Sequence, residues 1–135
     1  MLKKIQCDEF KTFEGKIRPP IEFHNGLNAV IGNESGTNSV GKSTFLMILD
    51  FVFGGEDYIR KSREVHKNIP IHKIMFEFEF DGVSYYFYRK TDKYKTIISC
   101  DENYQLILSI MVDRKNSKSQ KVRQRLEGWN NKACA

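Results

Sequence analysis

Gly36-Thr37-Asn38-Ser39-Val40-Gly41-Lys42-Ser43-Thr44 is the stretch on which the reading of this chain turns, a complete GxxxxGK[ST] phosphate-loop signature. Each fixed residue type has its own physical task. Glycine lets the backbone curl until successive N–H groups converge on phosphate oxygens. Lys42 supplies a point charge for the β- and γ-phosphates, and the Ser43 hydroxyl is a hard oxygen ligand suited to Mg²⁺. A helix opening here aims its positive N-terminal end at the same anion.

The flanks supply context. Leu27, Ala29, Val30 and Ile31 form a short apolar run ending at Gly32, which reads as a buried strand leading into the loop. After the loop, Phe45, Leu46, Ile48, Leu49, Val52 and Phe53 recur at helical spacing before Gly54-Gly55, a helix stop. The plain alternative is a glycine-rich surface turn before an ordinary helix. The strand–loop–helix setting favours nucleotide binding, with Gly36, Asn38, Ser39, Val40, Gly41, Lys42, Ser43 and Thr44 as binding residues.

The segment from Gly26 to Gly32, the loop, and Ser43-Thr44-Phe45-Leu46 resemble the start of an SMC/RecN/RecF-type ATPase head of the ABC class. Lys3-Lys4-Ile5, Glu9-Phe10-Lys11-Thr12-Phe13 and Ile21-Glu22-Phe23 stand in the order of that family's basic strand, aromatic turn and second strand. The resemblance spans residues 1 to about 55 and implies ATP and Mg²⁺ as ligands. It gives Lys11 a place near the nucleotide; Glu9 departs from the Asn often found there. A polar lead-in, Gly32-Asn33-Glu34-Ser35, precedes the first loop glycine and resembles the bacterial YydD-like coiled-coil ATPases; a tolerated surface insertion is the simpler account.

Length limits the function. A chain of 135 residues buries one core. The fold expected is α/β, a P-loop NTPase half-domain with an antiparallel β-layer. Residues 1–110 read as the ATP-binding lobe and 111–135 as a basic helical or disordered tail, the start of a coiled coil in the resembled family. No LSGGQ-like segment is present. Ile97-Ile98-Ser99-Cys100-Asp101-Glu102 admits two readings: a strand offering Asp101 to Mg²⁺ and Glu102 to water, or one arm of a hairpin turning at Asp101-Glu102-Asn103. Turn chemistry favours the hairpin. No catalytic residue is therefore assigned. Hydrolysis is expected only with a C-terminal lobe and a second head, as the resemblance implies.

Between helix and tail, Phe76, Phe78 and Phe80 alternate with Glu77 and Glu79, Asp81-Gly82 turns, and Val83, Tyr85 and Phe87 resume. A two-residue Asp-Gly loop selects a register pairing 80 with 83, 78 with 85 and 76 with 87. All six side chains then share one face, read as core and packed on the phosphate-loop helix or main sheet.

The net charge of +5 concentrates in 60–67 (Arg60, Lys61, Arg63, Lys67) and 114–125 (Arg114, Lys115, Lys118, Lys121, Arg123, Arg125). These segments are a candidate sequence-blind DNA surface or simply solvated faces. Cys7, Cys100 and Cys134 are dispersed, suggesting neither disulfide framework nor zinc site. His24, His66 and His72 read as surface or satisfied polar residues. With no signal-peptide core and no membrane-length apolar run, the expectation is cytoplasmic, without a membrane partner. Two other functions stay open: a small self-contained P-loop phosphotransferase, and a DNA-binding module with a vestigial loop.

Overall fold

The structure, a computed structural model, describes residues 1–31 and 39–111. Its framework is one antiparallel sheet of six strands: β1 (Leu2–Gln6), β2 (Ile21–Glu22), β3 (Lys73–Phe80), β4 (Val83–Lys90), β5 (Thr96–Cys100) and β6 (Leu106–Met111). They lie in the order β2-β1-β3-β4-β5-β6. The helices α1 (Ser39–Val52), α2 (Asp57–Lys61) and α3 (Arg63–Asn68) fall in sequence between β2 and β3.

Local chemistry builds the centre of the sheet. Asp81 and Gly82 both take positive φ, 50° and 76°, as a two-residue primed turn requires. Phe80 then pairs with Val83, Phe78 with Tyr85 and Phe76 with Phe87, the register expected from the sequence. A second hairpin joins β5 to β6. Asp101 Oδ1 accepts the N–H groups of Asn103 and Gln105, both at 2.9 Å, and so closes the turn. This geometry supports the hairpin reading of Asp101-Glu102-Asn103 and removes the catalytic-strand alternative, because Glu102 lies exposed in the turn.

Long-range pairing adds the rest. β1 lies between β2 and β3, with Ile5 opposite Phe76 and Leu2 opposite Phe78. Lys3–Glu79 (3.5 Å) and Lys4–Glu77 (3.4 Å) bridge the same strand pair. As partly exposed ion pairs they add little stability. The core lies between α1, α2 and one face of the sheet: Leu2, Ile5, Ile48, Phe51, Val52, Tyr58, Ile74 and Phe76 are buried.

Burial of the six-residue face is graded. Phe76 is buried, Phe78 and Phe87 are half-buried, and Phe80, Val83 and Tyr85 are exposed at the hairpin tip. The expectation of a uniform core is corrected here. Phe53, just past the end of α1, meets Phe78 edge-on at a centroid distance of 5.5 Å, so cover reaches Phe78 and stops short of the tip row of Phe80 and Val83.

A larger correction concerns residues 27–31. The expected buried strand is an irregular segment with Leu27 92% exposed, Val30 49% and Ile31 86%. An apolar run becomes a buried strand only when neighbours accept its hydrogen bonds and cover its faces. Among the described residues nothing pairs with it.

Candidate nucleotide site

The site is built on α1. Its apolar positions Ile48, Phe51 and Val52 are buried against the core, which fixes the direction of its axis. Its C-terminal end is closed twice. Gly54 takes φ 95°, its N–H donates to Phe51 O at 3.1 Å, and the Gly55 N–H donates to Asp50 O at 2.7 Å. These are the paired bonds of a Schellman cap. The second closure is Arg89 of β4, 1% exposed. Its Nη1 donates to the carbonyls of Phe51 (2.6 Å) and Gly55 (2.8 Å), and its Nε donates to Tyr94 O. The guanidinium carbon also lies 4.1 Å from the Phe51 ring centroid. A buried cation thus meets the negative end of the helix dipole and the helix's last carbonyls. Sequence reasoning missed Arg89, which reads as one more cation in Tyr88-Arg89-Lys90.

The opposite end of α1 carries the loop residues. Ser39, Val40, Gly41, Lys42, Ser43 and Thr44 occupy its first turns, and Lys42 and Ser43 are exposed. Gly36 and Asn38 lie outside the described residues. Among the described residues, a Cβ added at Gly41 would meet no atom within 4 Å. Their packing therefore does not require glycine there, whereas a phosphate approaching the backbone does. Ser43 and Thr44 also border a hollow of about 500 Å³ whose other wall is the α2–α3 junction, with Lys61, Ser62 and Arg63.

The donor set suits Mg²⁺. Among the described residues there is no group of three or more His, Cys, Asp or Glu able to hold a metal. Mg²⁺ bound to a nucleotide needs few protein oxygens and keeps phosphate and water in its remaining positions. The Ser43 hydroxyl, on the same helical turn as Lys42, is the residue that would hold it.

Other expected residues fall elsewhere. Lys11 lies in the excursion between β1 and β2, bridged to Ile17, with its ammonium 3.7 Å from Glu9. In segment 60–67, Arg60 pairs with Glu56 at 2.5 Å and Lys61 with Asp57 at 2.7 Å, while Arg63 and Lys67 are exposed. Half of that basic cluster is thus neutralised within α2. Segment 114–125, and the whole tail beyond residue 111, lies outside the described residues.

The histidines are satisfied, as expected. His72 is buried; Nδ1 meets Pro70 O at 2.8 Å and Nε2 meets the Tyr58 hydroxyl at 2.8 Å. That fixes the tautomer, with Nδ1–H donating and Nε2 accepting. Burial lowers the His72 pKa from its ordinary value of 6.5. His66 Nε2 donates to Tyr58 O at 3.0 Å. Cys7 and Cys100 are buried free thiols, and burial raises both pKa values, that of Cys100 to about 11. Among the described residues no helix is long and apolar enough to cross a membrane.

Comparison with known proteins agrees with this geometry. A family model described as an AAA domain matches residues 4–133. No curated protein and no solved structure matches the chain. The match spans almost the full length and includes the phosphate loop and the helix that presents Lys42 and Ser43. Nucleotide binding of the P-loop ATPase type follows from that membership, and ATP with Mg²⁺ is the family's general ligand. The chain belongs to the AAA domain family, of the P-loop ATPase type.

Proposed function

We propose that this chain is the N-terminal lobe of an SMC/RecN-like ATPase, most similar to the YydD-like coiled-coil ATPases, and that it acts in DNA repair, maintenance or defence. It binds Mg-ATP through Gly36–Thr44. The observation that carries this reading is the placement of Lys42 and Ser43, exposed on the first turns of a helix whose other end is capped by Arg89. The anchored helix holds its dipole and the two side chains in fixed relation to an incoming phosphate, which is positioning rather than chemistry. Ser43 would hold Mg²⁺, which would supply charge neutralisation at the phosphates.

Hydrolysis needs a group that orients the attacking water. Glu102, the only candidate from the sequence, sits in a hairpin turn. The lobe therefore binds nucleotide alone and turns it over with a complementary lobe and a second head. The exposed apolar segment at Leu27, Val30 and Ile31 supports this, since it offers a strand's side chains without a neighbour among the described residues. A role for DNA rests on Arg63 and Lys67 and on the basic tail; it acts through phosphate contacts and is blind to sequence.

The test is a titration with labelled ATP, with and without Mg²⁺. Wild-type protein binds, and Lys42→Ala weakens binding by about 1.5–3 kcal/mol, roughly ten- to a hundredfold. Equal affinity in the two proteins would overturn the assignment.

A further inference from the structure

The sheet has a second face, turned away from α1. Cross-strand register places Met75, Tyr88 and Ile98 on it in one row and Glu77, Tyr86 and Cys100 in the next. At the end of this face farthest from the Asp81-Gly82 turn lies a hollow of about 540 Å³, within the range of small-molecule sites. None of its residues belongs to the phosphate loop.

Its three sides differ in chemistry. Tyr88 lies on the sheet face at its base. Lys73 and Lys90 are register partners on β3 and β4, so two ammonium groups emerge side by side, and Lys73 Nζ stands 5.3 Å from the Tyr88 ring centroid. The turn after β1, the strand beside β3, contributes Asp8 and Glu9. The Glu9 carboxylate also has Lys11 at 3.7 Å, and among the described residues Asp8 has no ion pair.

The third side is Tyr104, and it is built at some cost. The β5–β6 turn puts Tyr104 in the left-handed region, φ 57°, which bulky residues rarely adopt. Asp101 pins that turn through the N–H groups of Asn103 and Gln105. The ring is held edge-on to Tyr86 at 5.9 Å, and its hydroxyl is buried with no hydrogen-bond partner among the described residues. An unspent buried donor is uncommon in a folded protein and calls for an explanation.

From this arrangement we infer that the hollow binds a nucleotide unit whose base carries an amino group. Phosphate oxygens draw Lys73 off the Tyr88 ring and also meet Lys90, the base takes the Tyr88 face that Lys73 leaves, and its exocyclic amine donates to Asp8 or Glu9. Stacking on an aromatic face is sequence-tolerant, and the carboxylates add a preference for cytosine or adenine over thymine. The unit belongs either to a single strand or to a free nucleotide; the recognising chemistry is the same. This site is independent of the phosphate loop.

The experiment uses the full chain carrying Lys42→Ala, which silences the phosphate loop. Fluorescein-labelled dC12 and dT12 are titrated by anisotropy at about 0.15 M salt, with CMP as competitor. The expected result is tighter binding of dC12 than dT12. The double change Lys73→Ala/Lys90→Ala lowers dC12 affinity at least tenfold and reduces the salt slope by about one. Leu106→Trp, at an exposed rim position, blocks the hollow without touching the core and serves as the second variant. Competition by CMP assigns the site to single nucleotides, and its absence assigns it to strands. Equal affinity for dC12 and dT12, or dC12 binding unchanged in both variants, overturns the proposal. Loss of ATP binding on Lys42→Ala in the parental chain is read separately, so failure here leaves the phosphate-loop assignment standing.

Discussion

Replacing Arg89 with Met keeps the aliphatic volume of the side chain and removes its charged head. The head makes two hydrogen bonds to the end of α1, at 2.6 and 2.8 Å, a third to Tyr94 O, and stands over the Phe51 ring. Each charge-assisted hydrogen bond is worth about 1.5–3 kcal/mol in mutational series, but the three share one guanidinium and do not add. Removal also strands the Gly55 carbonyl in a buried setting, at about 1–3 kcal/mol for an unsatisfied group, while the Phe51 carbonyl keeps the Gly54 N–H. Against this, a buried cation no longer has to be desolvated. The net loss expected is about 3–5 kcal/mol, the scale for breaking a buried charged interaction by removing one partner. Set against a total stability of roughly 5–15 kcal/mol, that is a large fraction. The assay is urea unfolding followed by far-ultraviolet circular dichroism, with the midpoint shift read at constant slope. Arg89→Lys is the control: it keeps the charge and loses the two-pronged geometry, so it falls between wild type and Met. A loss below about 1 kcal/mol for Arg89→Met would refute the claim that this side chain closes the helix.

Three further outcomes follow from the structure. The isolated chain binds ATP but hydrolyses it barely above background, and Glu102→Gln leaves that rate unchanged because Glu102 sits in a turn; multiple turnover abolished by Glu102→Gln would restore the catalytic-strand reading. Asp101→Ala removes the acceptor of two N–H groups and costs about 1–2 kcal/mol in the same urea assay. For His72, burial depresses the folded pKa below 6.5, so the unfolded chain binds more protons there. Stability is complete above about pH 6.5 and is lost as pH falls through the folded value; melting temperature scanned from pH 7.5 to 5 should fall, less so in Tyr58→Phe/His72→Phe, with His66 and Glu9 the other titrating groups facing the site.

What could be read from the sequence was what is decided within a few residues. The Asp81-Gly82 turn fixes its own register through φ, so the pairing from Phe76 to Phe87 follows from the stretch between them alone. The Asp101 turn is equally local, and Gly54-Gly55 stops α1 where its apolar spacing ends. Arg89 could not be found this way. Its partners Phe51 and Gly55 lie 38 and 34 residues upstream, and a cation flanked by Tyr88 and Lys90 carries no sign that it points inward. The Tyr58–His72 bond is hidden for the same reason, joining a short helix to the start of a strand.

The failure at Leu27–Ile31 has a different cause. Apolar composition states that a segment gains by burial; it does not state that the chain supplies the surface that buries it. In the described residues the sheet ends at β2 on one side, and every strand in it is antiparallel. A buried strand entering a phosphate loop typically belongs to a parallel sheet covered on both faces, which takes strands from elsewhere. The side chains of Leu27, Val30 and Ile31 therefore find no cover among the described residues, and in the proposed reading a complementary lobe supplies it. The prediction attached to them is physical. If a complementary lobe supplies the missing neighbours, Leu27→Asp/Ile31→Asp should leave the urea midpoint of the isolated chain nearly unchanged, because both side chains are already in water. The same double change should abolish association with that lobe, since two carboxylates would have to be buried without partners. A large stability loss in the isolated chain would show instead that the segment packs within this lobe, and the argument for an absent neighbour would fall.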